Sequence, residues 1–405
     1  MNILIITQLY PQPDDVGDNK PTRTVEYFAK EWVKEGHIVV VAHCPSKFPF
    51  LFYLIPPKIK NKLAGATSNI FPPISSRRKL AREEFGIRVY RFPMLKVLPG
   101  NGYSIHVMQS QAKKICESLN KSDFEPDLVV GHFANPSTEL TSIIANKYGA
   151  KSSIVFHHDC TEKNIKKYRI IESVTEIGAI GARSVIESME IKNRLKLKRI
   201  PFVCYSGAPN DAVQTAKVTC DKQDFNEGIR HIYVGSLIKR KHIDVVIKSF
   251  LSTAGERDSL TIIGGGPEED SLKSLVNKLR ANNRIIFTGR IPRDEVLKKM
   301  GDAQVFTLIS HGETFGMVYI EAMLQGCLVI ASKGGGFDGL IQDGINGFIC
   351  EPGNQKCLEN IYKRIVRMTT EERNKIGQAA IDMAIHFSES EVAKRYLDDI
   401  LKNQR

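Results

Sequence analysis

Several signals are missing from this 405-residue sequence, and each absence excludes something. No apolar run reaches the ~20 residues that a membrane-spanning helix needs. The opening Met1-Asn-Ile-Leu-Ile-Ile lacks a basic segment and a long apolar one, so it reads as a short strand and not as a signal peptide. Eight cysteines stand singly, at 44, 116, 160, 204, 220, 327, 350 and 357. None forms a C-x-x-C pair, which leaves zinc and redox motifs without support. Several lie in apolar runs, where a cysteine acts as a small buried hydrophobe, and a reducing cytoplasm fits that usage. No Asp-x-Asp and no metal-ligand spacing occurs, so neither metal nor cofactor is expected. The stretch Thr7 to Gly17 lacks G-x-G-x-x-G, which argues against an NAD oxidoreductase. No aromatic–basic array of the RNA-binding kind appears, so nucleic acid is not an expected partner.

The composition is that of a globular protein, 42% hydrophobic and 25% charged. The length exceeds one ordinary core and predicts two domains. The formal net charge of +12 asks for an anionic partner. Residues 48–82 offer one place for it. Phe48-Pro-Phe-Leu-Phe-Tyr-Leu-Ile55 is apolar and aromatic, and Pro57 to Arg82 carries seven Lys and Arg with no Asp or Glu. That pairing suits an anionic membrane surface, and it equally suits a solvated loop.

Strand and helix patterns alternate along the chain. Asn2 to Thr7 and His37 to Ala42 flank a helical run, Thr22 to Glu35, in a β-α-β unit. Gly86 to Phe92, Asp127 to His132, Ser153 to Phe156, Ile177 to Val185 and Ile200 to Tyr205 read as further strands, with Ile105 to Leu119 helical. Asn135-Pro136 reads as the cap and first turn of another helix. Asn210 to Gly228 is polar and lacks periodicity, so it reads as a linker. The pattern then restarts, with strands at His231–Gly235, Leu260–Ile263 and Ile285–Phe287 and helices between them. The domains expected are 1–208, a linker at 209–228, 229–385, and a last helix in 386–405 that returns to the first domain.

The most informative stretch is Ser310-His-Gly-Glu-Thr-Phe-Gly-Met-Val-Tyr-Ile-Glu321-Ala-Met. An apolar strand, Val305–Ile309, precedes it; a helix from Met317 to a stop at Gly326 follows, and then a second strand at Leu328–Ser332. The loop therefore lies at the carboxyl end of a strand, where open α/β sheets bind ligands. Free amides at Phe315, Gly316 and Met317 and the positive helix end favour an anion such as a phosphate. Glu313 and Glu321 can only accept hydrogen bonds, which suits sugar or ribose hydroxyls. An early-helix glutamate can also simply complement the dipole.

Glu313-Thr-Phe-Gly with Glu321-Ala-Met, Gly326, Val329-Ile-Ala-Ser and Gly334-Gly resembles the E-x7-E motif of the family 4 retaining glycosyltransferases of the GT-B fold. Val234-Gly-Ser-Leu-Ile-Lys-Arg-Lys241, Gly264-Gly-Gly-Pro267, Phe287-Thr-Gly289 and Asp343-Gly-Ile-Asn-Gly-Phe348 extend the likeness, strongly over 230–390 and weakly over 1–210. The resemblance implies two Rossmann-like domains facing across a deep cleft. It also implies a retaining, metal-independent transfer from a UDP- or GDP-sugar to a lipid-linked or oligosaccharide acceptor. The enzyme would be cytoplasmic, with peripheral attachment to the inner face of the cell membrane a further expectation. Its implied roles are a diphosphate neutralised by Lys241 and Arg240, amides at Phe315 to Met317 capping it, Glu321 on the ribose, and Glu313 on the transferred sugar. Arg290 would face the base, with Ser236, Thr314 and Gly17 also donor-facing and His132 near the transferred sugar. Four places depart from the family pattern: Ser236 stands at its arginine, His242 at its second loop glycine, Gly17 alone replaces its Gly-Gly, and Ser206-Gly-Ala-Pro209 occupies the place of its Asn-Gly turn.

Plainer roles stay open for some of these residues: Gly17 a simple turn, Arg240-Lys241 a solvated loop, and His132 a structural hydrogen-bonder. The rival functions are an epimerase or phosphorylase on the same architecture, or a two-domain sugar-binding protein.

Overall fold

In the computed structural model the described residues are 1–12, 23–56, 80–96, 101–216, 220–222 and 224–405. The Gly17 loop and most of the basic 57–82 run lie outside them. The chain divides into two compact units, 1–183 with 187–204 and 393–405, and 184–186 with 205–392.

The first unit is built on an eight-stranded sheet. Its strands are β1 (Asn2–Thr7), β2 (Ile38–His43), β4 (Leu80–Glu84), β5 (Ile87–Arg91), β7 (Leu128–His132), β8 (Lys151–Val155), β9 (Ala179–Ala182) and β10 (Phe202–Val203). A separate two-stranded ladder pairs β3 (Ser46–Lys47) with β6 (Met94–Leu95). The sheet order is β10-β9-β8-β7-β1-β2-β5-β4, and every pair is parallel except β4–β5. β1 is apolar almost throughout because both its faces are covered, as a central parallel strand requires. Chain order reverses at β1, which has β2 on one side and β7 on the other, with Thr7 level with both His43 and His132.

β4 has no counterpart in the sequence reading. Leu-Ala-Arg-Glu-Glu lacks apolar alternation and is mostly exposed. It is a charged antiparallel edge, which blocks pairing with another chain. The Asn135 cap is corrected too: the helix is Ser137–Tyr148, Pro136 occupies the cap position, and no side chain caps it. Ser137 Oγ instead donates to the His132 carbonyl, 2.7 Å away. The supposed linker contains a short helix, Asn210–Gln214.

The final helix, Glu389–Lys402, contributes its residues from 393 onward to the first unit. There Trp32 Nε1 donates to the Ala393 carbonyl at 3.0 Å, and Tyr396 packs against Phe28, Trp32 and His132. All eight cysteines are free thiols, and seven are buried.

The second unit has one six-stranded, all-parallel sheet: β11 (Arg230–Val234), β12 (Ser259–Ile263), β13 (Ile285–Gly289), β14 (Val305–Leu308), β15 (Leu328–Ser332) and β16 (Phe348–Cys350). The order is β13-β12-β11-β14-β15-β16. Helices follow the strands as the apolar spacing requires. Leu358, Ile361, Tyr362 and Ile365, three and four residues apart, bury one face of Gln355–Arg367, and Asn354 caps it. Thr369 and Glu372 form a reciprocal capping box on Thr370–Ala384. Here the order reverses between β11 and β14. The helices after those two strands pack on opposite faces, and the loops between strand and helix lie at the carboxyl ends, where sheets of this kind bind ligands.

Candidate active site

The loops that leave β11 and β14 carry the residues singled out by their chemistry. After β11 the chain makes a short 3-10 turn, Lys239–Lys241, closed by His242. After β14 comes the 310–316 loop and then the helix Met317–Leu324.

Lys241 Nζ donates to Glu313 Oε2 at 2.5 Å, and both side chains are largely buried. Ser310 Oγ donates to the same oxygen at 3.0 Å. Arg240 braces the loop: its Nη1 donates to the carbonyls of His311 and Gly312, and its own carbonyl accepts from the His311 amide. Thus the basic pair divides, with Lys241 on the carboxylate and Arg240 on the backbone.

The helix start matches an anion site in geometry. Gly316 caps it at φ +79°, with no side-chain cap. Among the described residues no acceptor takes the amides of Phe315, Gly316 or Met317. Glu313 O accepts the Gly336 amide at 2.8 Å, which ties the loop to the glycines after β15. A Cβ on Gly336 would meet the Thr314 carbonyl, so Thr314 stands where the two segments touch.

A second glycine loop completes the rim. A Cβ at Gly264 would lie 1.9 Å from the Gly235 carbonyl oxygen, and Gly264 holds φ +134°. Glycine is required there because the ends of β11 and β12 touch main chain to main chain. The Arg290 guanidinium lies against Gly265, and Ser236, exposed beside this loop, accepts the Tyr233 hydroxyl on its carbonyl.

Glu321 lies in the second turn of the helix. Burial raises its pKa, and the Arg293 guanidinium, 2.5 Å from Oε1, pulls it back. Sequence reasoning missed Arg293. The available signal was its place at the first position of the helix Arg293–Asp302, where the dipole disfavours a cation.

His132 ends β7 in the first unit and is fully buried. Its Nδ1 bonds His157 Nε2 at 3.1 Å and its Nε2 bonds the Tyr396 hydroxyl at 3.2 Å. Burial, then the charge of Arg183, lowers its pKa to about 3, so the ring is neutral. It belongs to a buried network of the first unit.

Comparison with known proteins decides the class. Residues 221–383 match the model of the family described as glycosyl transferases group 1. Residues 221–383 are a group 1 glycosyltransferase domain, and the whole chain has the GT-B fold. It is 27% identical over 166 residues to N-acetyl-alpha-D-glucosaminyl L-malate synthase of Bacillus anthracis, spanning 41% of this chain and less than half, 43%, of that relative. It is 23% identical over 356 residues to the putative teichuronic acid biosynthesis glycosyltransferase TuaC of Bacillus subtilis, spanning 84% and 83%. Anabaena Alr3699/HepE in complex with UDP has the same fold, with a TM-score of 0.68 at 16% identity over 99% of this chain and 100% of that one. The glycosyltransferase's group 1 match contains the whole cluster just described, from Lys241 to Gly336.

Proposed function

We propose that this glycosyltransferase moves a sugar from a nucleotide-sugar donor to a hydroxyl of a growing surface polysaccharide or glycolipid, with retention at the anomeric carbon and without a metal. The observation that carries the reading is the Lys241–Glu313 pair at the reversal point of the second sheet, beside a helix start with free amides. The glycosidic bond from the anomeric carbon to the donor's diphosphate breaks, and a bond from that carbon to the acceptor oxygen forms. The acceptor proton passes to the departing phosphate oxygen, so no separate base is needed.

Charge grows on that diphosphate as it leaves. Lys241 and the amides of Phe315 to Met317 meet it with fixed positive ends, which need no reorganisation. Glu313 takes hydroxyls of the transferred sugar, Glu321 those of the ribose, and Arg290 faces the base near the Gly264–Gly266 loop. Ser236 and Thr314 line the donor side. Arg240 adds its charge while holding the loop. The complex of HepE with UDP-glucose and the teichuronic acid role given for TuaC support a nucleotide-sugar donor and a polymer acceptor.

A membrane-borne acceptor agrees with one more feature. No helix among the described residues is long and apolar enough to cross a membrane. Phe50, Leu51 and Leu54 are nonetheless more than half exposed beside the basic run. Peripheral attachment to an anionic inner membrane face through 48–82 follows from this reading.

The test is a thermal-shift panel of UDP-, GDP-, ADP- and TDP-sugars, because a ligand of the native state raises its melting point. One nucleotide class should stabilise the protein. Incubation of that donor without acceptor should then give at most slow hydrolysis. Release of an isomerised sugar would point to an epimerase, and a flat panel would remove the donor site.

A further inference from the structure

We propose that Arg293 is a positioning residue for the donor site, fixing the direction and charge of the Glu321 carboxylate so that its free oxygen can accept from a ribose diol. The proposal rests on the reading of Glu321 as a ribose ligand and adds a residue that reading lacks.

Arg293 opens its helix behind Pro292, and no side chain caps that end. The same first turn carries Asp294 and Glu295, which suit the helix dipole, but neither is paired with Arg293 by a hydrogen bond among the described residues. Its partner is Glu321, 28 positions along the chain and on the Met317–Leu324 helix. Arg293 Nη2 lies 2.5 Å from Glu321 Oε1; the arginine is half exposed and the carboxylate is 14% exposed. Among the described residues Arg293 is the one side chain that donates to Glu321. Oε2 is thereby left for a ligand. An ionised carboxylate accepts on both oxygens, whereas a protonated one turns one of them into a donor and can no longer receive a diol.

The surroundings leave the charge state of Glu321 to Arg293. Burial disfavours the carboxylate, and the Arg293 guanidinium counters it. The other elements packed on this helix are β15, which has no charged residue, the Thr370–Ala384 helix, with Glu371, Glu372, Arg373, Lys375 and Asp382, and Asn210–Gln214, with Asp211. Arg293's own helix adds Asp294, Glu295, Lys298, Lys299 and Asp302. Among all these described groups Arg293 is the one in contact with the Glu321 carboxylate.

The experiment measures the dissociation constant of UDP, or of whichever of UDP, GDP, ADP and TDP stabilises the wild type, from pH 5.5 to 8.5. Four proteins are compared: wild type, Arg293→Gln, Arg293→Lys and Glu321→Gln. Arg293→Gln should weaken binding about tenfold at pH 6.5, the scale of one charge-assisted hydrogen bond. Part of the loss should return as pH rises and the unassisted carboxyl ionises. Arg293→Lys should keep most of the affinity. Glu321→Gln should weaken binding at every pH with no such slope. A purely structural arginine would lower the melting point without adding a pH slope. The inference fails if Arg293→Gln tracks the wild type across the range while Glu321→Gln loses binding. Wild-type affinity in Glu321→Gln would remove the ribose role itself, and the arginine's role with it.

Discussion

Lys241 and Glu313 meet through an ion pair of 2.5 Å, although 72 residues separate them in the chain. They meet because β11 and β14 are hydrogen-bonded neighbours and each side chain sits in the loop after its strand. A lone buried charge on either loop would be costly, and each supplies the other's compensation. When a diphosphate arrives, the ammonium has a second anion to serve. Lys241→Ala should therefore cut turnover by ~10²-fold or more, the scale of one lost charge-stabilising donor. Steady-state kinetics with a saturating donor would show it. Near-normal turnover would remove Lys241 from that role.

The rim of the same site depends on a contact that admits no side chain. Gly264 passes so close to the Gly235 carbonyl that an added Cβ would overlap it. Gly264→Ala must push β11 and β12 apart or change the backbone of the loop. We expect a loss of roughly 3 kcal/mol or more, seen as a lower denaturant midpoint, together with weaker nucleotide binding. Unaltered unfolding would mean that the two strand ends can separate at little cost.

Most of the sheet elements were legible because parallel strands buried on both faces are continuous apolar runs, as in Ile3–Ile6 and Val305–Leu308. The charged edge strand β4 was not, since an exposed edge carries no such pattern. The 310–323 stretch was readable as strand, anion loop and helix from its own residues. Partners distant in sequence were not readable. Arg240 on the 311–312 carbonyls, Arg293 on Glu321 and Tyr396 on His132 each require the topology that brings loops or helices together.

His242 shows how a departure from the family's pattern can be tolerated. It holds φ +50° and ψ +41° at the start of the Ile243–Thr253 helix, the left-handed region in which glycine sits without strain. The imidazole costs about 1 kcal/mol there, partly offset because a glycine would loosen the unfolded chain. His242→Gly should leave stability within about 1 kcal/mol of the wild type and turnover within about twofold. A tenfold loss of turnover would show that the ring, which lies edge-on to His311 at 4.9 Å, takes part in the reaction.

His231 offers a pH test away from the site. Its ring is buried between Phe250 and Tyr362, and Nδ1 has no hydrogen-bond partner among the described residues. Burial, then the charge of Arg284, lowers its pKa to about 3 from an ordinary 6.5. Because the folded value lies below the unfolded one, the stability tied to the neutral ring is complete above pH 6.5. It is lost as pH falls toward 3, since the unfolded chain then binds a proton that the folded chain refuses. By pH 5 that loss amounts to about 2 kcal/mol for one such histidine. His231→Phe keeps an aromatic ring between the same two neighbours and cannot take up the proton. Denaturant unfolding at pH 7.5 and at pH 5 should therefore show the variant gaining about 2 kcal/mol on the wild type between the two conditions, whatever the offset at pH 7.5 from the larger ring. Parallel curves would mean that His231 is protonated within the fold, and the buried, neutral ring would have to be abandoned.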